Sequence, residues 1–140
     1  MKFAKWTFLI AGIYGVLIIA PMLFMEDLIS KTNPPAITHP ENYYGFLIAV
    51  LAWQLVFLLI SRDPLRYRAI MPIAALVEKF AYSAVAIGLV IQGRATAPIA
   101  VTAGIDVVLG VLFLVAFAKT RETRVAQNHQ ATTTAHATRA

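Results

Sequence analysis

The chain has 140 residues, 59% apolar and only 14% charged, with a mean hydropathy of +0.71. Soluble domains hold about half apolar and about a quarter charged residues, so this composition describes a membrane protein, and the length allows one domain. The absence of cysteine excludes disulfide scaffolds, thiolate metal centres and cysteine nucleophiles, while the formal charge of +5 is spread as a membrane-orientation signal and not as a nucleic-acid surface.

Four apolar stretches have spanning length, about 6–25, 41–61, 69–91 and 98–118. Lys2 and Lys5 precede the first. A signal peptide opens similarly, but its apolar core is about 7–15 residues and ends in a small-x-small cleavage site. Here the run is longer and closes with Ile18-Ile19-Ala20-Pro21, so it reads as a membrane helix, bent near Pro21. The loop 26–37 contains Asn33-Pro34-Pro35, which favours extended chain. Thr38-His39-Pro40-Glu41 has the capping-box spacing for the second span, and Tyr43 and Tyr44 stand where an interfacial aromatic belt belongs.

Between the second and third spans, Asp63-Pro64 reads as a helix cap and first helical residue. So short a connection predicts that these two spans pack side by side. Gln92-Gly93-Arg94 makes the last turn before the fourth span, which opens at Pro98. From residue 121 the chain is polar and rich in Ala, Thr and His, and a disordered tail is expected over 121–140, beyond a transmembrane domain of 1–120.

Nine of the 12 basic residues, Lys2, Lys5, Arg62, Arg66, Arg68, Lys119, Arg121, Arg124 and Arg139, fall on one side of this plan. Two, Lys31 and Arg94, fall on the other, and Lys79 lies within a span. The bias places both termini in the cytoplasm. Arg62, Arg66 and Arg68 are accordingly read as topology signals in contact with lipid headgroups. The expected fold is all-α, an antiparallel four-helix transmembrane bundle.

Charged groups at the bilayer centre cost at least about 2.5–3.5 kcal/mol each, so they need partners. Three are present: Glu78 and Lys79 in the third span and Asp106 in the fourth. At about 1.5 Å per residue they lie roughly 14, 15 and 18 Å from the cytoplasmic ends, with Gln54 at about 10 Å and Tyr14 at about 12 Å. Every helix thus offers a polar group near the midplane. Tyr82 lies one turn beyond Glu78, and Thr102, Asp106 and Gly110 form one stripe. In an α-helix Glu78 and Lys79 point about 100° apart, so one faces a helix seam or Lys79 reaches across to Asp106. The expected arrangement has Lys79 flanked by Glu78 and Asp106, with Gln54, Tyr14 and Tyr82 nearby. Such a cluster either fixes the register of greasy helices or forms a ligand, ion or proton site.

The spacings Ala11-x-x-x-Gly15 and Gly45-x-x-x-Ala49 suit close helix packing. His39, near Glu26, Asp27 and Glu41, is read as a helix-start residue and not as a metal ligand. Trp53 and the phenylalanines of the fourth span read as lipid-facing or core. There is no phosphate-binding glycine loop, nucleophile elbow or zinc-protease motif, and no span carries a histidine for haem. No catalytic residue, metal or cofactor is therefore expected. The expected partners are the lipid bilayer and either a second copy or another membrane protein, not nucleic acid.

The block Pro35-Ala36-Ile37-Thr38-His39-Pro40-Glu41-Asn42-Tyr43-Tyr44-Gly45-Phe46 resembles a group of small bacterial four-helix integral membrane proteins. So do Trp53-Gln54, Ser61-Arg62-Asp63-Pro64-Leu65-Arg66-Tyr67-Arg68 and Glu78-Lys79. The resemblance covers about 6–120 and implies the bacterial inner membrane, but it carries no activity and transfers no site residue. Small multidrug exporters share the size and helix number, yet they rely on a glutamate in the first helix, where this chain has none. The expected function is that of a non-enzymatic accessory or partner-binding module; the alternative is a small proton- or cation-coupled transporter.

Overall fold

A computed structural model of the chain describes the backbone of residues 1–32 and 36–137, and side chains as far as residue 121. Among the described residues all regular structure is helical: α1 (Lys2–Met22), α2 (Glu26–Thr32), α3 (Pro40–Arg62), α4 (Arg68–Ile91) and α5 (Ala97–Ala137). Four of these are long and apolar enough to cross a membrane: α1, α3, α4 and the part of α5 up to Arg121.

Helix α1 closes one residue after Pro21, where the chain tightens into bonds from Leu23, Phe24 and Met25 N–H to Ala20, Pro21 and Met22 carbonyls. The stretch expected as an extended loop then forms α2. Glu26 and Asp27 in its first turn and Lys31 in its last complement the helix dipole. The expected Pro34-Pro35 extension lies outside the described residues. The capping box does not form either. His39, not Thr38, is the N-cap of α3, without a side-chain cap bond, and Pro40 takes the first helical position, where no donor is needed.

The Asp63 carboxylate does accept the Arg66 N–H, at 3.1 Å, but the turn it caps is irregular, and α4 starts only at Arg68. Helix α4 is composite: a 3-10 turn at Arg68–Ile70, an α turn at Met71–Ile73, a π-helical stretch at Ala74–Ala81 and an α-helix at Tyr82–Ile91. Past Ile91 the chain turns away at Gly93, whose φ of 68° suits glycine, with Arg94 N–H reaching back to the Leu89 carbonyl. The segment expected as a disordered tail is helical as far as Ala137. A span that is already helical removes the nucleation cost, and Lys119, Arg121, Glu122, Arg124, Ala126 and Gln127 are good helix formers.

The main packing pairs are α1 with α3, α4 with α5, and α1 with α5. The second and third spans, α3 and α4, are not a main pair despite their short connection. They meet in the core near that turn, where Phe57, Ile60, Met71, Ala74 and Ala75 are buried with Phe8 and Phe113. Phe8 stacks on Phe113 with ring centres 4.2 Å apart, and Phe57 meets Phe113 edge-on at 4.9 Å. Lipid offers apolar side chains as good an environment as the bundle does, so such fitted contacts, not hydrophobic burial, hold the helices together. Beside this knot Lys119 lies over the Phe3 ring at 4.9 Å, and Arg68 over Phe117 at 3.9 Å. At the other end Tyr43 donates to the Met22 carbonyl at 2.6 Å, and Tyr44 donates to Glu26 at 2.8 Å, pinning α3 to the end of α1 and to α2.

Small residues set the close approaches. A Cβ on Gly15 would collide with the Gln54 carboxamide, and one on Gly110 would lie 2.7 Å from the Phe80 ring. Gly45 meets nothing, so the expected packing role of Gly45-x-x-x-Ala49 is not seen.

Candidate functional site

The third span brings its two charges to the seam with α5. Lys79 Nζ donates to Asp106 Oδ1 at 2.7 Å and to Glu78 Oε1 at 3.0 Å. All three side chains are withdrawn from the surface, at 7% exposed for Lys79, 10% for Glu78 and 20% for Asp106. The π stretch narrows the angle between neighbouring residues, and the long Lys79 side chain reaches the rest of the way across to Asp106. The wider π turn holds more residues, so each residue rotates less about the axis than in an α-helix. Glu78 and Lys79 both line the same cavity. One turn further on, Ser83 donates to the Ala103 carbonyl at 3.0 Å and holds the same two helices in register.

Above the phenylalanine knot the two helix pairs part around a cavity of about 520 Å³. All four spans contribute to it. Its floor lies near Phe57, whose ring centre is 5.6 Å from Lys79 Nζ. Gln54 lines it from α3, buried, with Nε2 donating to the Val50 carbonyl at 3.1 Å and the carboxamide flat against Gly15. Tyr14 and Tyr82 also line it and remain partly exposed; neither hydroxyl bonds to the ionic triad. All six residues expected in the midplane cluster thus border one cavity. Only Lys79, Glu78 and Asp106 bond to one another. Phe46 and Trp53 complete the walls, Phe46 lying 6.4 Å from the Tyr82 ring and Trp53 6.2 Å from Phe57.

Two carboxylates face one ammonium, so a fully ionised triad carries one excess negative charge. Glu78 Oε2 is buried without any hydrogen-bond partner. Leaving such an oxygen unpaired costs about 1–3 kcal/mol, more when it is charged. It marks a place in the bundle where an acceptor lacks an internal donor.

The other candidates stand apart from the cavity. His39 Nδ1 lies 3.1 Å from Glu41 Oε1, both exposed. Among the described residues no group of three or more His, Asp or Glu side chains is placed to hold a metal ion. Arg62 ends α3, Arg66 lies beside the Tyr67 ring, and Arg68 covers Phe117 with its Nε buried and unpaired.

The reading from sequence missed the winding of α4 and the aromatic walls. Adjacent opposite charges inside one span are the signal that pointed to the first, since α geometry separates them. No pattern in the sequence distinguishes Phe46 and Trp53 from lipid-facing neighbours. Comparison with family models, curated proteins and solved structures finds no match.

Proposed function

We propose that the chain is a multi-pass protein of the bacterial inner membrane that works by binding, as a non-enzymatic module whose midplane cavity receives a guest from the bilayer. The single observation that carries this reading is the roughly 520 Å³ cavity with the Glu78–Lys79–Asp106 triad in its wall. Its volume falls in the range of about 300–1,000 Å³ typical of small-molecule sites, and its walls are largely apolar with a few convergent polar groups. The bundle is antiparallel with both termini cytoplasmic. Supporting this, Tyr43 near the start of α3 meets the end of α1, Phe57 near the end of α3 meets Phe8, and Lys79 and Ser83 meet Asp106 and Ala103 in reversed order. The orientation rests on nine basic residues against two.

A proton- or cation-coupled transporter is the second reading, favoured by the unpaired Glu78 oxygen. Reconstitution into liposomes loaded with a pH-sensitive dye separates the two. The binding reading expects no proton flux above protein-free liposomes under an imposed potential. A flux that Asp106→Asn and Glu78→Gln abolish, with the bundle still folded, makes the protein a transporter.

A further inference from the structure

We propose that the cavity takes a lipophilic amine, a protonated ammonium on an apolar or aromatic body. This rests on the reading of the cavity as a binding site and adds the class of guest. Glu78 Oε2 is sealed from the cavity and has no donor, so its negative charge is not offset by any hydrogen bond at that oxygen. Lys79 spends two of its three N–H donors on Glu78 Oε1 and Asp106 Oδ1, and its single charge is shared between the two carboxylates. The Gln54 amide is committed to the Val50 carbonyl. The Tyr14 and Tyr82 hydroxyls on the cavity wall are free donors, but they are neutral and leave the excess carboxylate charge in place. An ammonium that donates to the more open carboxylate on the wall, Asp106, brings a fully ionised triad plus guest to neutrality. Its body would lie against Phe46, Trp53 and Tyr82, whose ring faces also attract a cation. A carboxylate guest would meet two like charges with one shared lysine. A neutral alcohol could donate a hydrogen bond but would leave the charge unbalanced, which ranks the three headgroups.

The chain has two tryptophans, and Trp6 does not line the cavity, so Trp6→Phe leaves Trp53 as a reporter on the wall. In nanodiscs of zwitterionic phosphatidylcholine, this protein is titrated with 4-phenylbutylamine, 4-phenylbutanol and 4-phenylbutyrate while Trp53 emission is followed. The expected result is a saturable change with the amine, at an affinity tighter than the alcohol's by about tenfold or more, as a hydrogen bond to a charged group provides. The carboxylate should give none. Glu78→Gln should bring the amine down to the alcohol's affinity. Should that variant fail to fold, Ala49→Phe leaves the triad intact, fills space at the cavity wall and should abolish the amine response. Equal affinity for amine and alcohol overturns the amine assignment while leaving a binding cavity. No saturable response to any of the three overturns both. If Ala49→Phe turns a dimer into a monomer and the parent ignores the amine, the occupant is a second copy and the proposal fails.

Discussion

The ionic triad gives the sharpest prediction for stability. Replacing Lys79 with Met removes the cation that bonds both Glu78 and Asp106, in nearly the same volume. At an effective dielectric near 20, contacts of 2.7 and 3.0 Å are each worth about 6 kcal/mol before desolvation. Desolvation of several kcal/mol per ion offsets most of that gain in the intact protein. The substitution forfeits the attraction while both carboxylates stay buried, so Lys79→Met should cost about 3–5 kcal/mol. The triple variant Glu78→Gln, Lys79→Met, Asp106→Asn removes the charges together and should return to within about 1–2 kcal/mol of the parent. Reversible unfolding of detergent-solubilised protein, followed by Trp53 emission in a Trp6→Phe background, measures both. A Lys79→Met protein as stable as the parent, or a triple variant no better than the single one, would refute the claim that burial of unbalanced charge dominates.

Gly15→Leu must displace the Gln54 carboxamide and should cost about 1–3 kcal/mol of overpacking in the same unfolding assay, whereas Gly45→Ala, which meets no atom, should stabilise by about 0.5–1 kcal/mol. Ser83→Ala removes the hydrogen bond to the Ala103 carbonyl and should cost about 0.6 kcal/mol, at most about 1.7; a larger loss would mean that the serine does more than join two helices. The chain lacks cysteine, so single cysteines report topology cleanly. Ala95→Cys should react with an impermeant maleimide added outside intact cells and Arg66→Cys should not, and the reverse pattern would invert the protein.

The spans were legible because hydropathy over about 20 residues is a strong signal, and the observed helix ends differ from the expected ones by only a few residues. The gathering of the polar residues around one cavity was legible because ionisable groups in so apolar a chain have few stable placements. Local capping was less so: Thr38 and Glu41 have the right spacing, but Pro40 already suits the first position and Glu41 turns toward His39. Helix α2 carried its own signal in Glu26, Asp27 and Lys31, overshadowed by the prolines that follow. The separation of α3 from α4 could not be read from a short connection. A turn fixes where two helices begin, but side-chain fits such as Lys79 with Asp106 decide which neighbours they keep along their length.

The widened coil at Ala74–Ala81 gives α4 a second property. It sets the rotation of the half that carries Met71 relative to the half that carries Ser83, and both halves meet α5, at Thr120 and at Ala103. A shortening by one residue within that stretch would rewind it to ordinary pitch and swing one half about the axis relative to the other. The ammonium and its two counter-charges would then lose their common side, although both ends of the helix stayed where they are.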